Sequence, residues 1–285
     1  MFVIFLPRNQ GCHGDSSHHH DGTHDNIDRQ GTAHDDEREH HRPEGIGHVQ
    51  AKRLRCTNQV DGSVPAEEGN HSYPLTNDRP KCLVAVNGVP MVERQIQFLK
   101  EKGIDDITLI SGYKAEALDF LKDKYGVDIV FNDRYDTCNN INSLYIVRDR
   151  FHDTYVLEGD VYMDKNVLLS EIRHSTYFAR KKKYENEWGL EVDAENRLTH
   201  INIGDGEGYL MSGISYWKAE DCEKIVNHME EVYATKDYTN FYWDNMVLDI
   251  YPELDVRVRE IDGIYEIDTP EELKEVEKQL LSSLS

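Results

Sequence analysis

The chain has 285 residues, 38% of them hydrophobic, enough to bury a sizeable core in one large α/β domain or two small ones. Its 32 Lys plus Arg stand against 54 Asp plus Glu, a formal charge of −22 that argues against nucleic acid or an anionic membrane as partner and leaves small, locally recognised phosphate ligands. Five cysteines, Cys12, Cys56, Cys82, Cys138 and Cys222, are scattered without a CxxC pair or metal-ligand spacing, which fits a reduced, cytoplasmic setting.

In chain order, the opening MFVIFLP is apolar but too short for a signal h-region and lacks a basic n-region, and no later run reaches the length of a membrane span. Ten of the 14 histidines lie at or before His71, in text such as GDSSHHHDGTHDN, with neither helical nor strand periodicity. Residues 1–72 are therefore expected to form a low-complexity, disordered or misread arm. Their histidines have no fixed ligand spacing, so no metal site is assigned to them. A single domain is expected over 73–285.

From Tyr73 onward the pattern alternates. CLVAV reads as a short buried strand, and VPMVERQIQFLKEKG as a helix with Val92, Ile96 and Leu99 on one face, stopped by Gly103. DDITLISGY is a strand, KAEALDFLKDKYG a helix, VDIVFND a strand, NNINSLYIVRDR a short helix and TYVLEGD a strand. This order predicts a parallel sheet covered by helices on both sides. The second half is less regular, with strands expected at STYFARKK, WGLEV, YLMSGISYW and LDVRVREI. Helices are expected near Asp221–Tyr233, Phe241–Ile250 and Pro270–Leu281.

The chemistry-bearing residues follow from this layout. Asp160 ends an apolar strand, which puts its carboxylate at the sheet edge where doubly wound folds bind ligands and where Mg²⁺ could be held; the bland alternative is a turn aspartate. Asp164 reads as a cap for a following helix. Asp268 precedes Thr269, Pro270 and two glutamates, so capping and metal ligation fit it equally, and pairing with Asp160 favours the metal. Lys81, fixed between Pro80 and a strand, offers a point charge to a phosphate, against a default of a solvated loop lysine. Trp188, Trp217 and Trp243 each lie beside acid or tyrosine, a composition that suits a quaternary ammonium but is also ordinary core packing. The consecutive aromatics of FYWDN cannot all face one core.

The segments PLTNDRPKCLVAVNGVPMVERQIQFLKEKGI, VFNDRYDTCNNINSLYIV, NEW, SGISYW, FYWDNMV and YEIDTPEEL cover most of the chain after residue 73. In that order they resemble the sugar-phosphate nucleotidyltransferase superfamily, and within it the bacterial CTP:phosphocholine cytidylyltransferases. The resemblance implies a Rossmann-like nucleotidyltransferase fold, α/β with a mixed, mostly parallel sheet and helices on both faces. It also implies Mg²⁺ as cofactor and transfer of a cytidylyl group from CTP to phosphocholine. Lys81 matches the phosphate-contacting lysine and Asp160 the metal-binding aspartate; both would serve catalysis and nucleotide binding. Asp268 matches the second metal carboxylate, and Trp188, Tyr242 and Asp244 match segments that would surround the choline group. Other acceptors in reach are a sugar 1-phosphate or an aminoalkyl phosphonate.

One departure stands out. The superfamily opens with a hydrophobic strand and a loop Leu-x-Ala-Gly-x-Gly-x-Arg that cradles the triphosphate. Here the aligned residues are Ala66, Glu67, Glu68, Gly69, Asn70 and His71: Gly69 remains for the nucleotide, one glycine is glutamate, and the arginine is histidine. A carboxylate there repels phosphate and removes the close approach that glycine permits. Upstream, NQVDGSV is a poor central strand. Decay of the loop would give an inactive homologue. Intact Lys81, Asp160 and Asp268 favour a sequence boundary instead, leaving an enzyme without its first strand.

Overall fold

A computed structural model describes residues 2–6, as backbone, and 75–282. The histidine-rich arm, the loop at Ala66–His71, NQVDGSV, Cys12 and Cys56 lie outside the described residues. No helix among the described residues is long and apolar enough to cross a membrane.

The elements in chain order begin with β1 (Phe2–Leu6), β2 (Ala85–Val86), β3 (Val89–Pro90), α1 (Met91–Glu101), β4 (Asp106–Ser111), α2 (Phe120–Tyr125), β5 (Asp128–Phe131) and α3 (Ile141–Tyr145). They continue with β6 (Thr154–Glu158), β7 (Val161–Met163), β8 (Ser175–Val192), β9 (Leu198–Trp217), α4 (Ala219–Thr235), α5 (Asp244–Ile250), β10 (Val256–Glu260), β11 (Ile264–Glu266) and α6 (Pro270–Ser282).

Seven strands form the main sheet in the order β10-β8-β9-β6-β1-β4-β5. Five of them point the same way; β1 and β9 run against the rest, so the sheet is mixed and its parallel neighbours are β4/β5 and β10/β8. Side chains alternate across each strand, and the sheet sorts them into two cores. Leu109 of β4, Tyr155 and Leu157 of β6 and Phe178 of β8 meet Val92, Ile96 and Leu99 of α1 and Leu121 of α2. Ile110, Val156, Tyr177 and Ala179 from the same strands face the other way, against α3, α4 and α5 through Leu144, Ile225, Met229 and Val247. Helices therefore cover both faces, and the alternation of strand and helix predicted this arrangement.

Four local expectations change. Residues 2–6, expected within the disordered arm, form strand β1 of the main sheet. CLVAV does not enter the sheet: after Pro80 it forms one 3-10 turn, Lys81–Leu83, and then the short β2/β3 hairpin. Asn87 and Gly88 close that hairpin, both at positive φ (48° and 83°), so the chain reverses before it can extend. STYFARKK and WGLEV are one continuous 18-residue strand, β8, paired with β9 through several register shifts. Asp164 caps no helix: its N–H donates to the Gly263 carbonyl (2.7 Å), and its own carbonyl accepts from Arg94.

Candidate active site

Helix α1 sets the position of Asp160 from beneath. Gln95, fully buried on a face otherwise read as apolar, donates to the carbonyls of Glu158 and Val161, both at 2.8 Å, on either side of the β6–β7 turn. Arg94 holds the carbonyls of Met163 and Asp164, its guanidinium stacked over Phe98 and Tyr162 at 4.9 and 5.0 Å. The turn between β6 and β7 is thus tied to a rigid helix, and Asp160 projects from it.

Lys81 is no solvated loop lysine. Its side chain is 10% exposed, and its ammonium donates to Asp160 (2.7 Å) and to Asp268. Burial pushes the Lys81 pKa down, but the two carboxylates outweigh it and hold the ammonium well above its ordinary value. Burial likewise opposes ionisation of Asp160, yet Lys81 keeps that carboxyl below the usual range. The ambiguity at Asp268 resolves through its neighbour. Thr269 Oγ1 accepts the Glu272 N–H (3.2 Å), and the Glu272 carboxylate accepts the N–H groups of Asp268 and Thr269, both at 2.8 Å. This reciprocal cap is made by Thr269, which leaves the Asp268 side chain to Lys81.

A third carboxylate joins them. One oxygen each from Asp160, Glu266 and Asp268 can be chosen so that all lie within 4.8 Å of one another, a hard-oxygen set that fits a divalent cation. Glu266 was not singled out from sequence. Its signal was there, because Glu158 and Asp160, like Glu266 and Asp268, are spaced i, i+2 at strand ends, which puts each pair on one side of its strand. Glu158 completes the cluster: burial, then Asp160, Asp244 and Glu266, push its carboxyl well up. Gly213 of β9, at φ 72°, admits this side chain, since a Cβ there would lie 2.9 Å from Glu158 Oε2.

The aromatic residues divide. Trp217 (0% exposed) and Trp243 (3%) are core, packed edge to face at 5.6 Å and 88°. Trp188 and Tyr242 are half-buried and meet edge to face with centroids 6.3 Å apart. Trp188 sits at a register shift of the β8/β9 hairpin. Tyr242 is placed by the loop before α5: the Asn140 side chain accepts the Trp243 N–H (2.8 Å), and Asn245 accepts that of Tyr242 (2.7 Å). Asp244 accepts a hydrogen bond from Tyr177 (2.8 Å). Burial raises its carboxyl to about 7 despite that bond. Asp160 and Glu266 of the trio, together with Asp244, oppose the ionisation of Glu158.

No family model matches the chain. It is 43% identical over 215 residues to the choline-phosphate cytidylyltransferase of Streptococcus pneumoniae, covering 74% of this chain and 94% of that one. The chain belongs to the choline-phosphate cytidylyltransferase family. The solved structure of the CTP:phosphocholine cytidylyltransferase from the same organism superposes with a TM-score of 0.71 at 42% identity, over 74% of this chain and 93% of the other. A 2-aminoethylphosphonate cytidylyltransferase from Lancefieldella rimae is 31% identical over 232 residues, 79% of this chain and 94% of the relative. The chain is thus a nucleotidyltransferase by kinship, as its motifs implied. Within the cytidylyltransferase fold, Lys81, Asp160 and Asp268 come together, as do Trp188 and Tyr242; the Asp244 side chain accepts its hydrogen bond from Tyr177, and Gly69 lies outside the described residues.

Proposed function

We propose that this chain transfers the cytidylyl group of CTP to phosphocholine, releasing pyrophosphate. The phosphate oxygen of phosphocholine attacks the α-phosphorus in line, so no covalent enzyme intermediate is needed, and catalysis rests on positioning and charge. Asp160, Glu266 and Asp268 would hold Mg²⁺, which supplies electrostatic stabilisation of the phosphoryl oxygens when bound. Lys81 already bridges Asp160 and Asp268, so its ammonium stands beside the metal position and can turn to a phosphate oxygen. Trp188 and Tyr242 would receive the trimethylammonium group on their π surfaces, with Asp244 as counter-charge.

The observation that carries the acceptor assignment is the half-buried, edge-to-face pair Trp188–Tyr242, with the half-buried Asp244 two residues along the chain from Tyr242. A sugar site would want hydrogen-bonding side chains there. A primary ammonium, as in an aminoalkyl phosphonate, would lose hydrogen bonds to water that a π face cannot replace. The test compares kcat/KM for phosphocholine, phosphoethanolamine and 2-aminoethylphosphonate at saturating CTP and Mg²⁺. It uses both the chain as it stands and a variant with Glu67→Gly and His71→Arg in the phosphate loop. Each aromatic contact contributes on the order of 1 to 2 kcal/mol, so phosphocholine should be preferred at least about tenfold, and Trp188→Ala or Tyr242→Ala should erode that preference more than CTP affinity. Equal values for the three acceptors would defeat the choline assignment. Turnover confined to the loop variant would show that the arm inactivates an otherwise competent site.

A further inference from the structure

Strands β4 and β6 run parallel to each other but are not neighbours; β1 lies between them. On one side Phe2 to Leu6 pair with Ile110 back to Asp106, and on the other Phe2 to Phe5 pair with Glu158 back to Tyr155. Five residues therefore satisfy the facing backbone edges of two strands whose Ile107, Leu109, Ile110, Tyr155, Val156 and Leu157 are the buried centre of the sheet. The sequence FVIFL, wholly apolar and rich in β-branched and aromatic residues, suits a strand covered on both faces.

The direction is what sets this strand apart. A slot between two parallel strands of a doubly wound sheet accepts a parallel strand, which would end at the edge carrying Asp160 and could lead there into a phosphate-binding turn. Strand β1 enters the other way round. Phe2 lies beside Glu158 at the carboxylate edge, and Leu6 lies beside Asp106 at the opposite edge.

We propose that the gap between β4 and β6 is a strand-acceptor site and that residues 2–6 of this chain are its occupant, a reversed substitute for a parallel central strand. The substitute closes the sheet by main-chain pairing, while its polarity keeps its C-terminal end away from the phosphates. A phosphate turn at the carboxylate edge must then come from a segment that does not follow directly on this strand.

Polarity is testable by crosslinking in the full chain, with Cys12 and Cys56 replaced by serine and the buried Cys82, Cys138 and Cys222 retained. Paired cysteines at Leu6→Cys and Asp106→Cys should oxidise to an intrachain disulfide, because these residues are cross-strand partners, whereas Phe2→Cys with Asp106→Cys should not. A 2/106 disulfide would mean a parallel strand, an interchain product would mean that a second copy donates it, and no disulfide in either pair would mean an empty slot; each overturns the proposal. Hydrogen exchange of the unsubstituted chain needs no variant to fold. Amides of residues 2–6 should be protected to the level of β4, and Ile4→Pro should release that protection in β1, β4 and β6 together. Random-coil exchange across residues 2–6 in the unsubstituted chain would overturn the proposal independently.

Discussion

Replacing Asp244 by asparagine should stabilise the fold and weaken choline recognition at the same time, and the pH dependence of the first effect follows from the structure. The folded carboxyl is raised from 3.8 to about 7, by burial first and against the Tyr177 hydrogen bond. Below about pH 4 both folded and unfolded forms hold the proton and no penalty exists. Between 3.8 and 7 the unfolded chain has released the proton while the native state retains it, so native stability falls as pH rises; above 7 the loss is constant. Each pH unit in that window costs about 1.4 kcal/mol, so the full penalty is on the order of 4 kcal/mol, and the partial exposure of the cleft screens it to roughly 2. Asparagine carries no such penalty, and its carbonyl can still accept the Tyr177 O–H. For a domain of this size the gain corresponds to a melting temperature higher by roughly 4 to 8 °C. Urea denaturation of both proteins at pH 4, 5.5 and 8 should show a stability difference that is near zero, intermediate and full. Phosphocholine affinity of the variant should fall at pH 8, where the native carboxylate is ionised, and approach wild type at pH 6. A pH-independent difference, or destabilisation at pH 8, would refute the reasoning.

Lys81→Met should lower kcat/KM by about 10² to 10³ through lost charge stabilisation, yet tighten Mn²⁺ binding measured without nucleotide, since the metal no longer displaces an ammonium from Asp160 and Asp268. Asp160→Asn should abolish turnover in the loop-restored protein while moving the melting temperature little: it removes the Lys81 pair but also a like charge beside Glu158. Thr269→Ala should cost about 1 kcal/mol, a melting temperature lower by roughly 2 to 4 °C, because the cap of α6 is lost.

The sequence alone carried the alternation of strands and helices, because a buried strand and an amphipathic helix differ in apolar period whatever they pack against. Asp160 was legible for the same reason: a carboxylate that ends an apolar strand has one place to go. Lys81 and Asp268 were identified as candidates, but their separation of 187 residues hid the ion pair that unites them. The capping chemistry of Asp268-Thr269-Pro270-Glu271-Glu272 has two readings until the backbone geometry gives the cap to Thr269. Trp188, Trp217 and Trp243 are chemically alike in sequence. Only packing separates them, by turning Trp217 and Trp243 into the core behind β9 and leaving Trp188 at a register shift of the β8/β9 hairpin. Gln95 hides on an apolar helix face because its partners are backbone carbonyls, which leave no mark in sequence. Strand β1 is the extreme case: its five apolar residues read in sequence as part of the arm, and four of them pair with β6 residues roughly 150 positions away, since backbone hydrogen bonding accepts either polarity and the vacancy between β4 and β6 exists only once the sheet has formed.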